Sequence, residues 1–119
     1  MKMRVEMRGV DDVQRMLGRR AANRLDRRIE DDVRDGVDRM AEQAYDNAPV
    51  ETSALRNSIL ANIFKVGDKE YIFGTNLPYG RRQEYEHKTK KFYFHRAVRQ
   101  ETLPLRNKIV FTIRHTLGG

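Results

Sequence analysis

The chain has no cysteine and no long apolar run, and each absence excludes a class of protein. Without cysteine it can form neither disulfides nor thiolate–metal sites. No window approaches the 18 or more consecutive apolar residues of a typical membrane-spanning helix. Residues 1–8 alternate apolar and charged side chains and lack the apolar core of a signal peptide. We therefore expect a soluble protein that has no membrane partner and is not secreted by that route.

Catalytic and metal-binding patterns are scarce as well. The three histidines, His87, His95 and His115, include no pair at the i, i+4 spacing of a helical zinc motif. Ser53 and Ser58 lack the Gly-x-Ser-x-Gly setting of a hydrolase nucleophile, and the glycines form no phosphate-binding loop. We expect neither an enzyme nor a bound metal or cofactor.

Size and charge favour a single domain that contacts other macromolecules. The 119 residues suit one domain, 1–119, and the 39% hydrophobic content is low enough to predict some stabilisation by neighbouring subunits. The net charge is +7. A basic segment (Arg15, Arg19, Arg20, Arg24, Arg27, Arg28) is followed directly by an acidic one (Glu30, Asp31, Asp32, Asp35, Asp38). This polarity suits contacts between copies of the chain as well as contacts with DNA.

The N-terminal half predicts a short strand and one long helix. Met3, Val5 and Met7 alternate with charged residues, which is typical of a half-buried strand that ends at Gly9. Asp11 or Asp12 is the expected cap of the helix that follows. Apolar residues then recur every three or four positions as far as Ala48, so we expect a helix of more than eight turns, about 55 Å long.

The middle of the chain predicts a joint followed by a β-hairpin. Pro49 should stop the long helix, and Thr52 should cap a short helical turn that contains Leu55. Residues 58–66 and 70–75 favour two antiparallel strands, joined by a turn at residues 67–69.

The C-terminal part predicts a short helix, a loop and a final helix. Residues 79–86 favour the short helix after Pro78, and residues 87–91 favour a polar loop. The spacing of the apolar residues predicts a helix to the C-terminus, with a fresh start at Pro104 and with residues 110–113 helical despite their β propensity. The fold class is therefore α+β, with a long N-terminal helix and a C-terminal helix packed on a small antiparallel sheet that contains the hairpin.

Residues 79–99 interleave basic and aromatic side chains. The basic ones are Arg81, Arg82, Lys88, Lys90, Lys91, Arg96 and Arg99, and the aromatic ones are Tyr79, Tyr85, Phe92, Tyr93 and Phe94. This composition is compatible with a protein interface, with single-stranded nucleic acid binding, or with simple anchoring to the core. In the anchoring interpretation Phe92 and Phe94 face inward, and strand alternation turns Tyr93 outward.

Two of these segments resemble motifs of one protein family. After a long helix, the pattern Ala-Pro-x-x-Thr-Gly-x-Leu-Arg-x-Ser-Ile is matched at Ala48, Pro49, Thr52, Leu55, Arg56, Ser58 and Ile59, with Ser53 in place of the glycine. A second element, Pro-Tyr-Ala-x-Tyr-x-Glu-Phe-Gly, is matched at Pro78, Tyr79 and Glu84, with Tyr85 in the phenylalanine place. A third is matched only by Ala97 and an aromatic at Phe92 or Phe94. In this order the motifs resemble the tail-completion, or tail-to-head joining, family of minor virion proteins in long-tailed bacteriophages.

The resemblance implies a structural virion protein at the head–tail junction, or neck, assembled in the host cytoplasm. Its expected partners are its own copies in a ring, commonly hexameric, the head-completion or connector proteins, and the tail tube or tail terminator. DNA would pass through the lumen without sequence-specific binding. The expected interface residues are Arg56, Tyr79, Arg81, Arg82, Glu84, Tyr85, His87, Lys88, Lys90, Lys91 and Phe92. Pro49, Thr52, Leu55 and Pro78 are expected to shape the joint. The alternative is a free-standing basic nucleic-acid-binding protein, which would bind in a salt-sensitive manner.

Overall fold

The computed structural model describes residues 2–48, 53–77, 85 and 93–118. These residues form, in chain order, β1 (Lys2–Glu6), α1 (Val10–Gln14), α2 (Arg19–Asn47), α3 (Ser53–Ala61), β2 (Ile63–Gly67), β3 (Glu70–Gly74) and α4 (Tyr93–Gly118). Two long helices and a three-stranded antiparallel sheet confirm the predicted α+β class. The single-domain assignment stays a prediction.

The first strand and the hairpin form the sheet in the order β1-β3-β2. Met3 pairs with Phe73, and Phe73 pairs with Ile63 on its other side, so these three side chains share the face that packs on α2. The hairpin turn contains Lys69 at φ 53, and a register shift lies between Lys65 and Gly67. Both the half-buried first strand and the hairpin are confirmed.

The predicted single N-terminal helix is two helices. Residues 15–18 separate α1 from α2, and Gly18, in an extended conformation, is the N-cap of α2. Glycine is a weak helix former, and the apolar spacing hid the break because Val13 and Leu17 still pack against the core. The predicted cap was also wrong. Gly9 at φ 88 is the N-cap of α1, and Asp11 and Asp12 lie in its first turn.

The predicted strand over residues 58–66 begins too early. Residues 58–61 belong to α3, because Leu55 and Ile59 lie one helical turn apart and are both fully buried. Tertiary packing thus overrides the β propensity of Ile59. The Asn62 side chain donates to the Ser58 carbonyl (2.6 Å) where α3 ends, and β2 follows at Ile63.

Helix α4 is continuous, so the predicted fresh start at Pro104 was wrong. It runs antiparallel to α2, with Leu105 facing Gly36 and Thr112 facing Asp32. Pro104 has no backbone N–H, so α4 lacks one helical hydrogen bond there. Val98 and Leu105, on either side of the proline, both pack on the core, and this packing keeps the helix continuous. The helical assignment of residues 110–113 is confirmed.

Tyr93 faces inward, contrary to the outward orientation that strand alternation predicted. Residue 93 begins α4, and both Tyr93 and Phe94 are fully buried, with ring centroids 4.7 Å apart. Phe94 also lies 5.8 Å from the Phe73 ring, which ties the start of α4 to the sheet.

The core lies between α2 and the elements packed on it. Its fully buried α2 side chains include Leu25, Ile29, Val37, Ala41 and Ala44, which follow the predicted helical spacing. With 29 residues α2 is about 43 Å long, and it sets the longest dimension of the molecule, 52 Å. No helix in the described part of the chain is long and apolar enough to cross a membrane.

Candidate assembly surfaces

The described residues of the joint motif make contacts within the fold of this chain. Leu55 is fully buried. The Arg56 guanidinium donates to the carbonyls of Asp46 and Ala48, each at 3.3 Å, and lies 5.1 Å from the centre of the Tyr45 ring. Carbonyls at the end of a helix lack intrahelical donors, so Arg56 caps the C-terminus of α2. Its expected contact with another subunit stays a prediction.

Ser58 connects α3 to the end of the hairpin. Its hydroxyl lies 2.8 Å from the Thr75 hydroxyl, and Thr75 accepts a hydrogen bond from the Leu77 amide at 3.1 Å. Because Thr75 is fully buried, this contact fixes where the chain leaves β3. The motif residues described by the structure therefore build the joint between helix and sheet.

Most of the expected interface lies outside the described residues. These positions are Tyr79, Arg81, Arg82, Glu84, His87, Lys88, Lys90, Lys91 and Phe92, together with the joint positions Pro49, Thr52 and Pro78 and with the predicted helix and loop over residues 79–91. Tyr85 is described. Its side chain is exposed, and its ring centroid lies 5.9 Å from that of His95 in the first turn of α4.

A charged network fixes the hairpin turn to α2. Lys69 is only 2% exposed, and its ammonium group contacts the carboxylates of Asp26 and Asp68. Glu30 accepts from the Tyr71 hydroxyl (2.6 Å), the Lys65 ammonium (2.6 Å) and the Lys69 amide (3.2 Å). This network holds the hairpin turn in place against α2.

The network changes the ionisation of its members. Burial lowers the pKa of Lys69, but its hydrogen bonds to Asp26 and Asp68 outweigh burial and leave that pKa raised. The hydrogen bond from Lys69 lowers the pKa of Asp26. Burial and the hydrogen bond to Glu30 raise the pKa of Tyr71 to about 12. Near neutral pH the lysine and the carboxylate are therefore charged, and the phenol is neutral.

A second polar cluster joins α2 to α4. The Thr112 hydroxyl donates to the buried Asp32 carboxylate at 2.5 Å, and Lys108 lies 2.9 Å from Asp35. The hydrogen bond from Lys108 lowers the pKa of Asp35, although burial opposes the shift. Glu30, Asp32 and Asp35, three members of the acidic segment, thus serve the fold of this chain.

The outward face of α4 carries an exposed apolar row. Leu103, Val110 and Phe111 are 62%, 45% and 66% exposed, and the Phe111 ring stacks on His115 with centroids 5.7 Å apart. Exposed Arg99, Arg106 and Arg114 border this row. The sequence analysis used the spacing of Leu105, Ile109 and Ile113 and did not predict this exposed row. The i, i+7, i+8 spacing of Leu103, Val110 and Phe111 could have indicated it.

A second exposed apolar area lies on the face of the sheet turned away from α2. Phe64 pairs with Ile72, and Phe64 is 48% exposed. Val66, at the irregular end of β2, is also 48% exposed. Apolar side chains bordered by charge are common in protein–protein interfaces. In the described part of the chain, α4 and the sheet therefore each carry an exposed apolar area.

The described depressions do not resemble a catalytic site. One of them has a volume of about 460 Å³ and is lined by Arg34, Asp38, Ile63, Lys65 and Tyr71. With its pKa near 12, Tyr71 is a poor proton acceptor at neutral pH. Among the described residues, no group of three or more histidine or acidic side chains is placed to hold a metal ion.

Residues 11–85 match one protein-family model, described as "Bacteriophage HK97-gp10, putative tail-component". The match runs from α1 through the hairpin to Tyr85 and covers more than half of the chain. No curated protein and no solved structure matches the chain significantly.

Proposed function

Because the chain belongs to the HK97-gp10-like family of bacteriophage tail components, we propose that it is a structural subunit of the neck of a tailed phage. In this role, copies of the chain form a ring, commonly of six, that completes the tail and joins it to the head-completion ring. The other neighbours are the tail tube or tail terminator, and DNA passes through the lumen. The family comprises structural components of the particle, and no catalytic step belongs to the proposal.

The family match is the observation that carries the proposal. It covers the whole joint, in which Leu55, Arg56 and Ser58 link the end of α2 to the hairpin. The resemblance of the sequence to tail-completion proteins rests on the same joint. The family match supports a tail component, and the motifs are our reason for proposing a position at the head–tail junction.

The exposed apolar surfaces support an assembly role. The row on α4 and the Phe64 area of the sheet lie on different elements, so one chain offers two unlike surfaces. Contacts between unlike surfaces are heterologous, and they close into a ring when the rotation between neighbours permits. The arginines beside Leu103 and Phe111 suit a neighbouring virion protein with an apolar centre and an acidic rim.

The second candidate is a free-standing nucleic-acid-binding protein. Arg19, Arg20, Arg24 and Arg27 are exposed and take part in no ion pair within the described residues. If this candidate is correct, the purified chain binds DNA tightly, and its affinity falls on the order of a thousandfold between low and moderate salt. If the chain is instead a neck subunit, we expect it to bind DNA weakly at low salt and at moderate salt.

Deletion of the gene and complementation test the proposed role. Without the chain, we expect filled heads and finished tails that remain separate, and plasmid-borne wild type should restore joined particles. The variant Arg81→Glu/Arg82→Glu tests the expected interface, with Arg19→Glu/Arg27→Glu on α2 as the control of equal charge change. Normal yields of joined particles without the chain would contradict the proposal.

A further inference from the structure

The outward face of α4 carries a stripe in which arginine and apolar side chains alternate. Its members follow one another every three or four residues, so they lie along one side of the helix. This basic stripe consists of Arg99, Leu103, Arg106, Val110 and Arg114, and all five side chains are exposed. Its three arginines take part in no ion pair within the described residues. A partner for the stripe therefore needs carboxylates at similar intervals.

Helix α2 carries such carboxylates on a side that does not contact α4. This acidic flank consists of Asp31, Asp38 and Glu42, of which Asp38 is half-buried and the other two are exposed. Within the described part of the chain, none of the three takes part in an ion pair. Asp32 contacts α4, and Asp38 follows it by six residues, which corresponds to about 120° around a helix. The acidic flank can therefore receive a second helix without displacing the chain's own α4.

Two cations lie near the acidic flank, since Arg34 and Lys65 line the same depression as Asp38. Lys65 is bound to Glu30 at 2.6 Å. Arg34 is exposed and takes part in no ion pair within the described residues. A helix that binds this flank should therefore place an apolar or acidic side chain, and not a basic one, opposite Arg34.

The packing of α4 on α2 within one chain gives the level of each stripe residue along α2. The two helices are antiparallel, with Thr116 bonded to Arg28 and Thr112 bonded to Asp32. A step of four residues along α4 thus matches a step of four residues along α2.

On this scale, each arginine of the stripe lies close to the level of a carboxylate. Arg114 lies at the level of α2 residue 30, Arg106 at that of residue 38 and Arg99 at that of residue 45. The carboxylates of the acidic flank belong to residues 31, 38 and 42, so the offsets are at most three residues, or about 4.5 Å. A flexible arginine side chain can span this distance. Val110 lies at the level of Arg34, so the stripe places an apolar side chain opposite that cation.

We propose that the basic stripe of one copy of this chain binds the acidic flank of the next copy. The neighbour's α4 packs antiparallel on α2, at the same height as the chain's own α4 but on a different side of the helix. The ion pairs from one copy to the next are Arg114 with Asp31, Arg106 with Asp38 and Arg99 with Glu42.

The contact involves no displacement along the helices. Because both α4 helices take the same height on one α2, successive copies are related by a rotation without a rise. The two surfaces are unlike, so the contact is heterologous, and a heterologous contact without a rise can close into a ring. In this respect the inference rests on the proposed function. It adds the surfaces and the register of the subunit contact.

Two other occupants fit the stripe less well. In a two-fold pair of α4 helices, Arg106 would face its own counterpart, and Arg99 would face Arg114. DNA would bind the arginines, but it would place Leu103 and Val110 beside phosphates and leave the acidic flank uncovered. A second copy provides opposite charges for both the stripe and the flank.

The test compares charge-reversal variants of the full chain by sedimentation velocity over a series of protein and salt concentrations. Wild type should self-associate beyond a dimer at low salt. Arg99→Glu/Arg114→Glu and Asp31→Arg/Glu42→Arg, each alone, should weaken association on the order of a hundredfold. An equimolar mixture of the two variants should associate again, and so should one chain that carries all four substitutions.

The control is Arg19→Glu/Arg27→Glu, which makes the same charge change on exposed side chains near the start of α2. These positions lie outside the proposed contact, so this variant should associate like wild type. A wild-type chain that stays monomeric at every salt concentration, a limit at a dimer, or a mixture that stays dissociated would each overturn the proposed contact.

Further outcomes separate the contact from the proposed function. A chain that associates as expected but is absent from virions would overturn the proposed function and leave the contact standing. A neck ring that assembles normally from either double variant would overturn the contact and leave the function standing. A wild-type chain that binds DNA without self-associating, and whose DNA binding is lost in Arg99→Glu/Arg114→Glu and not recovered with all four substitutions, would assign the stripe to DNA and overturn the contact.

Discussion

The two faces of α4 carry similar apolar side chains in very different surroundings. On the inner face Ile109 is 6% exposed and packs in the core, whereas the adjacent Val110 on the outer face is 45% exposed. The inner face also contains the polar contact of Thr112 with Asp32, while Phe111 stacks on His115 at the surface. Burial of the inner face stabilises the isolated chain, and the outer face adds little to its stability.

The comparison separates folding from assembly along one helix. Apolar area removed from water stabilises a chain in proportion to its burial, so an exposed row makes a large contribution only when a partner covers it. Helix α2 shows the same division, because Asp32 and Asp35 are bound to α4 whereas Glu42 and Asp46 are exposed.

The largest effect is expected from Ile109→Ala, which creates a cavity between α4 and α2. We expect a loss of about 2–4 kcal/mol in the free energy of unfolding, measured by urea denaturation. The adjacent Val110→Ala is the matched control and should change stability by less than about 0.5 kcal/mol. Equal losses in the two variants would contradict the division between the faces.

The next effect is expected from Thr112→Val, which removes the hydroxyl donor of Asp32 without changing side-chain volume. Among the described residues, the buried carboxylate then keeps only the Lys108 ammonium, at 3.8 Å, so we expect a loss of about 1–3 kcal/mol in unfolding free energy. A second variant, Thr116→Val, removes a hydroxyl that interacts with the more exposed Arg28 at 3.4 Å and should cost less. The reverse order would mean that Asp32 does not depend on Thr112.

A smaller effect is expected from acidification. Hydrogen bonds from Lys69 and Lys108 lower the pKa values of Asp26 and Asp35. Burial raises the pKa of Glu30, but hydrogen bonds from Lys65 and Tyr71 outweigh burial and leave that pKa lowered. The three carboxylates therefore contribute their full stabilisation above the ordinary pKa values of 3.8 and 4.5. Stability should therefore fall as pH drops below about 4.5. Asp26→Asn should make this decline shallower, in denaturation measured from pH 7 to pH 3. An unchanged slope would show that the hairpin network is not linked to folding.

The smallest effect on stability is expected from Leu103→Ser combined with Phe111→Ser. Because both side chains are exposed, the unfolding free energy should change by no more than about 0.5 kcal/mol. The yield of joined particles in complementation should nevertheless fall, since the apolar row would no longer suit its neighbour. A wild-type yield of joined particles, together with unchanged stability, would show that the exposed row on α4 is not an assembly surface.

Much of the fold could be predicted from local patterns. The alternation around Met3 and Val5, the hairpin, and the four-residue spacing of Ile29, Val33 and Val37 all report burial directly. The wrong predictions concern positions where tertiary packing, and not local propensity, determines the secondary structure. Gly18 is the N-cap of α2 after a break that begins at residue 15, Ile59 is helical because it packs on the core, and Pro104 is held inside α4 by the residues on either side of it.

The candidate surfaces were harder to predict because exposure is a property of the folded chain. Arg56 caps α2, a role that its sequence motif did not indicate, and its expected contact with another subunit stays a prediction. The sequence placed Phe111 in a helix, but only the folded chain shows that it faces solvent. Charge order along α2 was visible in the sequence. Which carboxylates bind α4 and which face outward depends on the rotation of the helix against its neighbours.

Cryo-electron microscopy of the phage particle that encodes this chain tests the central claim most directly. The account predicts density for the chain as a closed ring between the head-completion ring and the tail, with DNA in the lumen. Particles whose head–tail junction is resolved and contains no density for this chain would contradict it.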